Sequence, residues 1–325
     1  MKKIYIITGG AGFIGSNLAK QLIKGGNTVY VLDDLSSGFE RNIPPEAVFY
    51  KTDVSNADLL TGLNIPGRID CIFHLAAQSS GEASFEDPSR DIDINYKGTY
   101  NILKFARLKQ CKRFIFTSSM SVYGKVSDDK DYAYENSPCN PLSYYGCNKL
   151  ASEKLIALFA KNANIEYTIF RLFSVYGPGQ NMHNIKQGIV SIYFSYLLNS
   201  LPIQVKGSLD RFRDFVYIDD VIDVLIKSEN NKNTYGDIFN LGTSVKTSVR
   251  ELLSFILAAY KKNDFSKWVI VKGNTPGDIN GCIANIDKLK AALGWRPKYH
   301  LKSGIVKMKD WIEETKELWV EKCQR

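Results

Sequence analysis

Tyr145 and Lys149 stand four residues apart in a segment, Ser143 to Lys161, whose Leu150, Leu155, Leu158 and Phe159 recur at helical spacing. On a helix that separation puts phenol and ammonium on one face, one turn apart. A cation beside a phenol favours the phenolate and draws the tyrosine pKa down from about 10 toward working pH. A tyrosine so placed can take the proton of a hydroxyl while the same carbon loses a hydride. Tyr100 and Lys104 share the spacing, so spacing alone decides nothing. Ser119 separates the two pairs. It directly follows the apolar run Arg113 to Thr117, at the carboxyl end of a predicted strand, where open α/β sheets place ligands. A serine there can hydrogen-bond the oxygen that Tyr145 deprotonates. Tyr100 has no such companion and reads as packing.

A hydride needs an acceptor, and the stretch Lys2 to Asp34 has the features of a site for one. Lys3 to Thr8 is an apolar, β-branched run of strand length, Gly9, Gly10, Gly12 and Gly15 follow, and a helical segment opens at Ser16. Glycines let the backbone approach a pyrophosphate, and the helix that follows points its unpaired N–H groups at it. Asp33 closes the next apolar run, Thr28 to Leu32, at the spacing of a carboxylate that holds the ribose hydroxyls of NAD. A carboxylate there repels the 2′-phosphate of NADP, and no arginine adjoins Asp33 or Asp34, so the expected cofactor is NAD.

Strands and helices alternate through the first half. Val48 to Tyr50 precedes Asp53, placed to turn beneath an adenine ring, and Cys71 to Ala76 is a continuous apolar run of the kind buried on both faces. Ile94 to Leu108 reads as helix and Tyr167 to Leu172 as strand. The alternation predicts an α/β fold, a doubly wound parallel (Rossmann) sheet, with a smaller C-terminal α/β substrate-binding region. The expected division is 1–173 for the NAD-binding domain, re-entered around 213–243, and 174–325 for the substrate region. In the second part an amphipathic helix is expected near Gly188 to Leu198, and a helix through Val221 to Ile226 begins on Asp219 and Asp220. Ile305, Met308, Trp311, Ile312, Leu318 and Trp319 form a helical stripe that reads as core.

Composition excludes several classes. With 44% hydrophobic and 23% charged residues the chain is an ordinary globular protein. Its net charge of +8 is spread rather than striped, which argues against nucleic acid and suits an anionic small molecule. Six scattered cysteines and three distant histidines, His74, His183 and His300, give no metal-ligand spacing. Unpaired cysteines and the lack of a membrane-length apolar run suggest a cytoplasmic protein with no membrane contact.

The segments GGAGFIG (9–15), LDDLSSG (32–38), HLAAQ (74–78), NYKGT (95–99), TSSMSVYG (117–124), YGCNK (145–149), RLFSVYGPGQ (171–180), RDFVYIDD (213–220) and LGWRP (293–297) run from end to end of the chain. In this order they resemble the extended short-chain dehydrogenase/reductases, and within them the NAD-dependent nucleotide-sugar epimerase/dehydratase family typified by UDP-galactose 4-epimerase. The resemblance implies a cofactor site of Gly9, Gly12, Phe13, Ile14, Gly15, Asp33, Asp34, Ser37, Gly38, Asp53, Val54, Leu75, Ala76, Ala77, Gln78 and Asn95. It also implies that Tyr145 is the base, that Lys149 holds the nicotinamide ribose and tunes Tyr145, and that Ser119 binds the sugar hydroxyl. Ser121, Ser174 and Arg213 would meet the substrate, Arg213 at the diphosphate. The ordinary reading of Arg213 is an ion pair with Asp210 or Asp214. The implied partner is a nucleotide-diphosphate sugar. A homodimer, through the helices carrying Asn95 to Arg107 and Tyr145 to Lys161, is implied as well.

Departures from the family pattern narrow the reaction. Relatives that eliminate water across the sugar C5–C6 bond carry an Asp-Glu pair just after the strand serine or threonine; here Met120 and Ser121 stand there, which disfavours a 4,6-dehydratase and equally a decarboxylase relying on that glutamate. Ser174 replaces the asparagine usual in epimerases and Thr275 a phosphate-binding arginine, with Lys272 nearby to supply charge. The expectation is a nucleotide-sugar 4-epimerase acting through a 4-keto sugar. The alternative is a 4-dehydrogenase or keto-reductase that releases its product. A non-catalytic NAD-sensing protein on the same fold would lack one of Ser119, Tyr145 and Lys149, and all three are present.

Overall fold

A computed structural model of the chain describes residues 2–126, 131–273 and 279–319. Its frame is one seven-stranded parallel sheet of β1 (Ile4–Thr8), β2 (Thr28–Asp33), β3 (Val48–Lys51), β4 (Cys71–His74), β5 (Arg113–Ser119), β6 (Glu166–Leu172) and β7 (Asp237–Leu241). Their order across the sheet is β7-β6-β5-β4-β1-β2-β3. The order reverses between β1 and β4, and the crevice at that reversal opens on the carboxyl ends of the strands.

The strands are apolar at successive positions because both faces are covered. Tyr5, Ile7, Phe73, Ile115 and Phe170 face a core shared with α1 (Phe13–Lys24), α4 (Ile189–Leu198), α5 (Ile218–Glu229) and α6 (Leu301–Glu314). Ile6, Ile72, Phe114, Phe116 and Ile169 face the opposite core, under α2 (Gly98–Leu108) and α3 (Tyr144–Ala163). Helix α1 opens at Phe13, earlier than the expected Ser16, because the glycine turn leads straight into it with Gly12 as its N-cap.

After β6 the chain builds the far wall of the crevice from short pieces. Ser174–Tyr176 pairs in parallel with Phe215–Tyr217, and Phe212–Arg213 pairs antiparallel with Thr247–Ser248. Between these pairs the buried Asp214 carboxylate accepts from Thr243 N and Oγ1, Ser244 N and Ala284 N at 2.6–3.1 Å, fixing the strand that carries Arg213.

Three helical readings change in the fold. Helix α4, expected to be amphipathic, is buried on most sides through Val190, Tyr193, Phe194, Leu197 and Leu198, since it packs against the strand Ile203–Val205 and the helix Val249–Ala259. In the last stripe Ile305, Met308, Ile312 and Trp319 are buried, but Leu318 is 47% exposed because a 3-10 turn at Lys316–Leu318 breaks the helical register. Helix α3 buries Tyr145, Lys149, Ser152, Glu153, Ile156 and Ala160, while Leu158 on the expected apolar side is 65% exposed. Among the described residues no helix is long and apolar enough to cross a membrane.

Candidate active site

One cavity of about 830 Å³ follows the crevice from the glycine turn to the far wall. Its first end is lined by Gly9, Gly12, Phe13, Ile14 and Gly15 after β1, Asp33, Asp34, Ser37 and Gly38 after β2, and Asp53 and Val54 after β3. Leu75, Ala76, Ala77 and Gln78 after β4 continue it. Gly9 has φ +71°, and a Cβ there would lie 2.8 Å from Ala76 N, so the β1 turn presses directly on the β4 loop. Helix α1 begins at Gly12 without a side-chain cap, leaving its first N–H groups toward the groove.

The Asp33 carboxylate is 7% exposed and accepts from Ala11 N at 3.0 Å and Leu35 N at 2.8 Å. Burial raises its pKa while these two N–H groups pull it down. Thr52, at the same end, has its Oγ1 buried with no partner among the described residues. A dinucleotide fits these groups: an open helix terminus for phosphate, a fixed carboxylate for hydroxyls, and an orphaned hydroxyl near the base.

Asn95 stands apart from the other expected cofactor residues. It is 1% exposed, sits in a π-turn (Ile92–Lys97), and lies one layer behind the cavity wall, where its Nδ2 donates to Gln78 O at 2.9 Å and its Oδ1 has no partner. A polar chain reaches it from β1. Thr8 Oγ1 lies 2.7 Å from His74 Nδ1, His74 Nε2 lies 3.0 Å from Thr99 Oγ1, and Thr99 Oγ1 donates to Asn95 O at 2.6 Å. Burial holds His74 down at a pKa of about 3, so it is a neutral cross-link between β1, β4 and α2.

The three groups expected to react, Ser119, Tyr145 and Lys149, meet midway. Ser119 ends β5, accepts from Ser121 N at 3.1 Å and donates to Ser121 Oγ at 3.1 Å, close enough to the Tyr145 hydroxyl to act on its titration. Lys149 is 2% exposed, with Nζ 4.1 Å from the Phe116 ring centroid. The electrostatics correct one expectation. Tyr145 is pushed up to about 12 by burial, against a lowering by its bond to Ser119, and Lys149 is pushed down to about 7 by burial, against the charges of Glu153 and Asp91. Desolvation of both groups outweighs the help expected from Lys149. On its own the protein therefore holds Tyr145 as a phenol.

At the far end Ser121, Ser174 and Arg213 line the cavity. Arg213 Nη1 donates to Phe212 O at 2.7 Å and Asn280 O at 3.3 Å, and burial next to Arg211 lowers its pKa to about 10. Asp214 is bonded to the 243–244 and 284 amides, so its carboxylate is committed there. Thr275 lies outside the described residues; Lys272 is exposed and is not part of the cavity wall. The sequence reading missed Tyr193, Arg211, Glu82 and Lys206, which also line this end. Glu82 and Lys206 pair across it at 2.8 Å. Arg211 was within reach as the second cation of the Arg-Phe-Arg triplet ending at Arg213, and Tyr193 lies on the helix expected near Gly188 to Leu198; Glu82 and Lys206 lie in stretches without periodic pattern. Among the described residues no cluster of His, Cys, Asp and Glu could hold a metal.

A sequence model described as the NAD dependent epimerase/dehydratase family matches residues 5–242. The chain is 35% identical over 310 residues to a putative UDP-glucose 4-epimerase of Methanocaldococcus jannaschii, covering 95% of this chain and 98% of that one. It superposes on the Thermotoga maritima UDP-glucose 4-epimerase with UDP-glucose at TM-score 0.91 and 30% identity, covering 96% and 99% of the two chains. The UDP-glucose 4-epimerase of Thermus thermophilus in complex with NAD gives 0.88 at 30% identity over 95% and 99%.

Proposed function

Because the chain belongs to the NAD-dependent epimerase/dehydratase family, we propose that it is a nucleotide-sugar 4-epimerase working through a 4-keto sugar. The observation that carries this reading is the placement of Ser119, Tyr145 and Lys149 on the same cavity as the dinucleotide cradle, between it and Arg213. On this reading residues 1–173 with the return at 213–243 hold NAD, and the remainder holds the nucleotide sugar. Gly9, Gly12 and Gly15 admit the pyrophosphate, Asp33 holds the adenosine ribose, Asp53 and Val54 flank the adenine, and Asn95 supports the β4 loop from behind. Arg213, with Arg211 beside it, offsets the charge of the substrate diphosphate.

NAD, when bound, supplies the hydride acceptor at the sugar C4 and brings the positive charge of its oxidised ring to the site. Tyr145 removes the C4 hydroxyl proton and later returns it, and Ser119 holds the same oxygen as it becomes a carbonyl. Lys149 supplies the protein's own positive charge for the phenolate. No carboxylate follows Ser119, where Met120 and Ser121 line the wall, so the groups needed to eliminate water from the sugar are missing at that turn. Two copies of the chain are proposed to associate through α2, the π-turn that leads into it and α3, where Tyr96, Tyr100, Leu108 and Leu158 expose apolar surface.

Ser174 favours a second reading. It lines the sugar end in place of an amide side chain, and a remodelled pocket there would suit a 4-dehydrogenase or keto-reductase that lets the ketone go. A panel of UDP-, GDP-, CDP- and dTDP-sugars, incubated with the purified protein and no added electron acceptor, tests both. The epimerase yields the C4 epimer; a dehydrogenase accumulates no epimer and stops after one reduction of its cofactor. If no member of the panel reduces the bound cofactor, the nucleotide-sugar assignment falls.

A further inference from the structure

Trp319, just past the 3-10 turn Lys316–Leu318, lies against the loop that borders the cofactor end of the cavity. That loop, residues 34–42, follows β2, and its Ser36, Ser37, Gly38, Phe39 and Asn42 line the cavity wall. It leaves the strand through Leu35, a non-glycine residue at φ +62°, whose N–H donates to Asp33 Oδ1 at 2.8 Å. From there it folds back onto the glycine turn. Phe39 N and Asn42 Nδ2 donate to Ala11 O at 3.2 and 3.0 Å, and a Cβ on Gly38 would stand 2.7 Å from the Ala11 carbonyl carbon. The 178–181 segment meets it from the other side. Asn181 Nδ2 donates to Ser37 O at 3.4 Å, while Pro178 O accepts from Asn17 Nδ2 on α1 at 3.1 Å. Both segments border the groove beside the first turn of α1, where a dinucleotide phosphate fits.

A surface loop held by a few hydrogen bonds opens at low cost. The far end of the chain adds a stack to those bonds. Phe39 meets the Trp319 ring edge-on at 6.0 Å, and the Arg41 guanidinium lies 4.0 Å from the Phe39 centroid and 5.0 Å from that of Trp319. Trp319 is 4% exposed and fixed by its other neighbours. Its Nε1 donates to Thr315 Oγ1 at 2.9 Å, the Trp311 ring on α6 lies 5.8 Å away, and the His183 ring lies 5.5 Å away. Those contacts anchor the chain end. The stack with Phe39 and Arg41 extends that anchor to the wall of the cofactor groove, and Arg41 itself is exposed and not part of the cavity wall.

We propose that Trp319, Phe39 and Arg41 form a latch that holds the 34–42 loop shut over NAD and sets how fast the cofactor leaves. The latch touches none of the groups that meet the sugar, so it stands whichever sugar reaction follows. Its use lies in turnover: a hydride that returns to the same substrate needs a cofactor that does not exchange between the two transfers.

The test measures NAD release directly. Protein loaded with labelled NAD is chased with excess unlabelled NAD, and the retained label is followed by filtration, with no sugar nucleotide present. Arg41→Ala is expected to speed release by about tenfold, the worth of one guanidinium stacked on two rings. Trp319→Ala should speed it at least as much, and Trp319→Phe, which keeps a ring against Phe39, should recover most of the slow release. In the Trp319→Ala background the Arg41 change should add less than about twofold, since both act through one stack. A loss of fold alone would give neither the recovery nor the coupling. Should Trp319→Ala not fold, Arg41→Ala, on the exposed side of the stack, decides the matter by itself. Release at the wild-type rate in Arg41→Ala, or an Arg41 effect undiminished without the Trp319 ring, overturns the proposal.

Discussion

Tyr145 shows how a residue's chemistry depends on what surrounds it. The i, i+4 pairing with Lys149 was legible from spacing, but the net shift that burial imposes on both groups was not. Both groups are buried, and burial disfavours the phenolate and the ammonium alike. A base role for Tyr145, as proposed, must therefore draw on charges brought close by the fold. Replacing Tyr145 with Phe is expected to leave NAD bound and to slow C4 oxidation by roughly 10²–10⁴-fold, the usual worth of a positioned acid–base group. Single-turnover reduction of the bound cofactor measures it, and near-normal turnover would remove Tyr145 from the role. Asp33 was also legible, from its place at a strand end. Its second task, holding Ala11 N and Leu35 N so that the glycine turn keeps its shape, was not.

At the scale of elements, the turn from β1 into α1 is a tight joint. A Cβ on Gly15 would stand 2.2 Å from Gly9 O, and the neighbouring atoms are backbone that cannot rotate away. Gly15→Ala should push α1 off the turn, so that the purified protein carries little NAD and melts several degrees lower. Full NAD content in that variant would show that the turn tolerates the shift. The joint between β1, β4 and α2 is His74, and its linkage has a definite sign. Its folded pKa of about 3 lies below its ordinary 6.5, so the unfolded chain binds the proton that the native state refuses. The stability this contributes is present above about pH 6.5 and drains as pH falls toward 3, with a slope of up to about 1.4 kcal/mol per unit. Denaturant unfolding across that range measures it, and the slope should flatten in His74→Gln.

At the scale of the molecule, helix α3 turns its polar residues inward and leaves Leu158 outside. Tyr100 is 43% exposed and packs edge-on to Phe159 at 6.3 Å, so it is half packing and half open surface. That arrangement is poor for a lone chain and suits a face buried by a second copy. The protein is expected to sediment as a dimer of the 36.6 kDa chain, and Leu158→Glu to give folded monomers. A wild-type protein that remains monomeric at micromolar concentration would remove the proposed dimer.

The amino-acid sequence by itself determined the parallel sheet, because strands covered on both faces must be apolar at successive positions. It also determined the glycine turn and the Ser119, Tyr145 and Lys149 set, because these depend on local order: strand, turn, helix, and one helical turn between two side chains. Only the tertiary structure decided that Asn95 stands behind the wall, that Arg211 and Lys206 share the far end with Arg213, and that Glu153 is fixed by Ser118 and Arg171. Those relations join residues far apart in the chain, and which charges meet in a buried space, and what desolvation does to them, follows from the packing of strands and helices rather than from any local spacing.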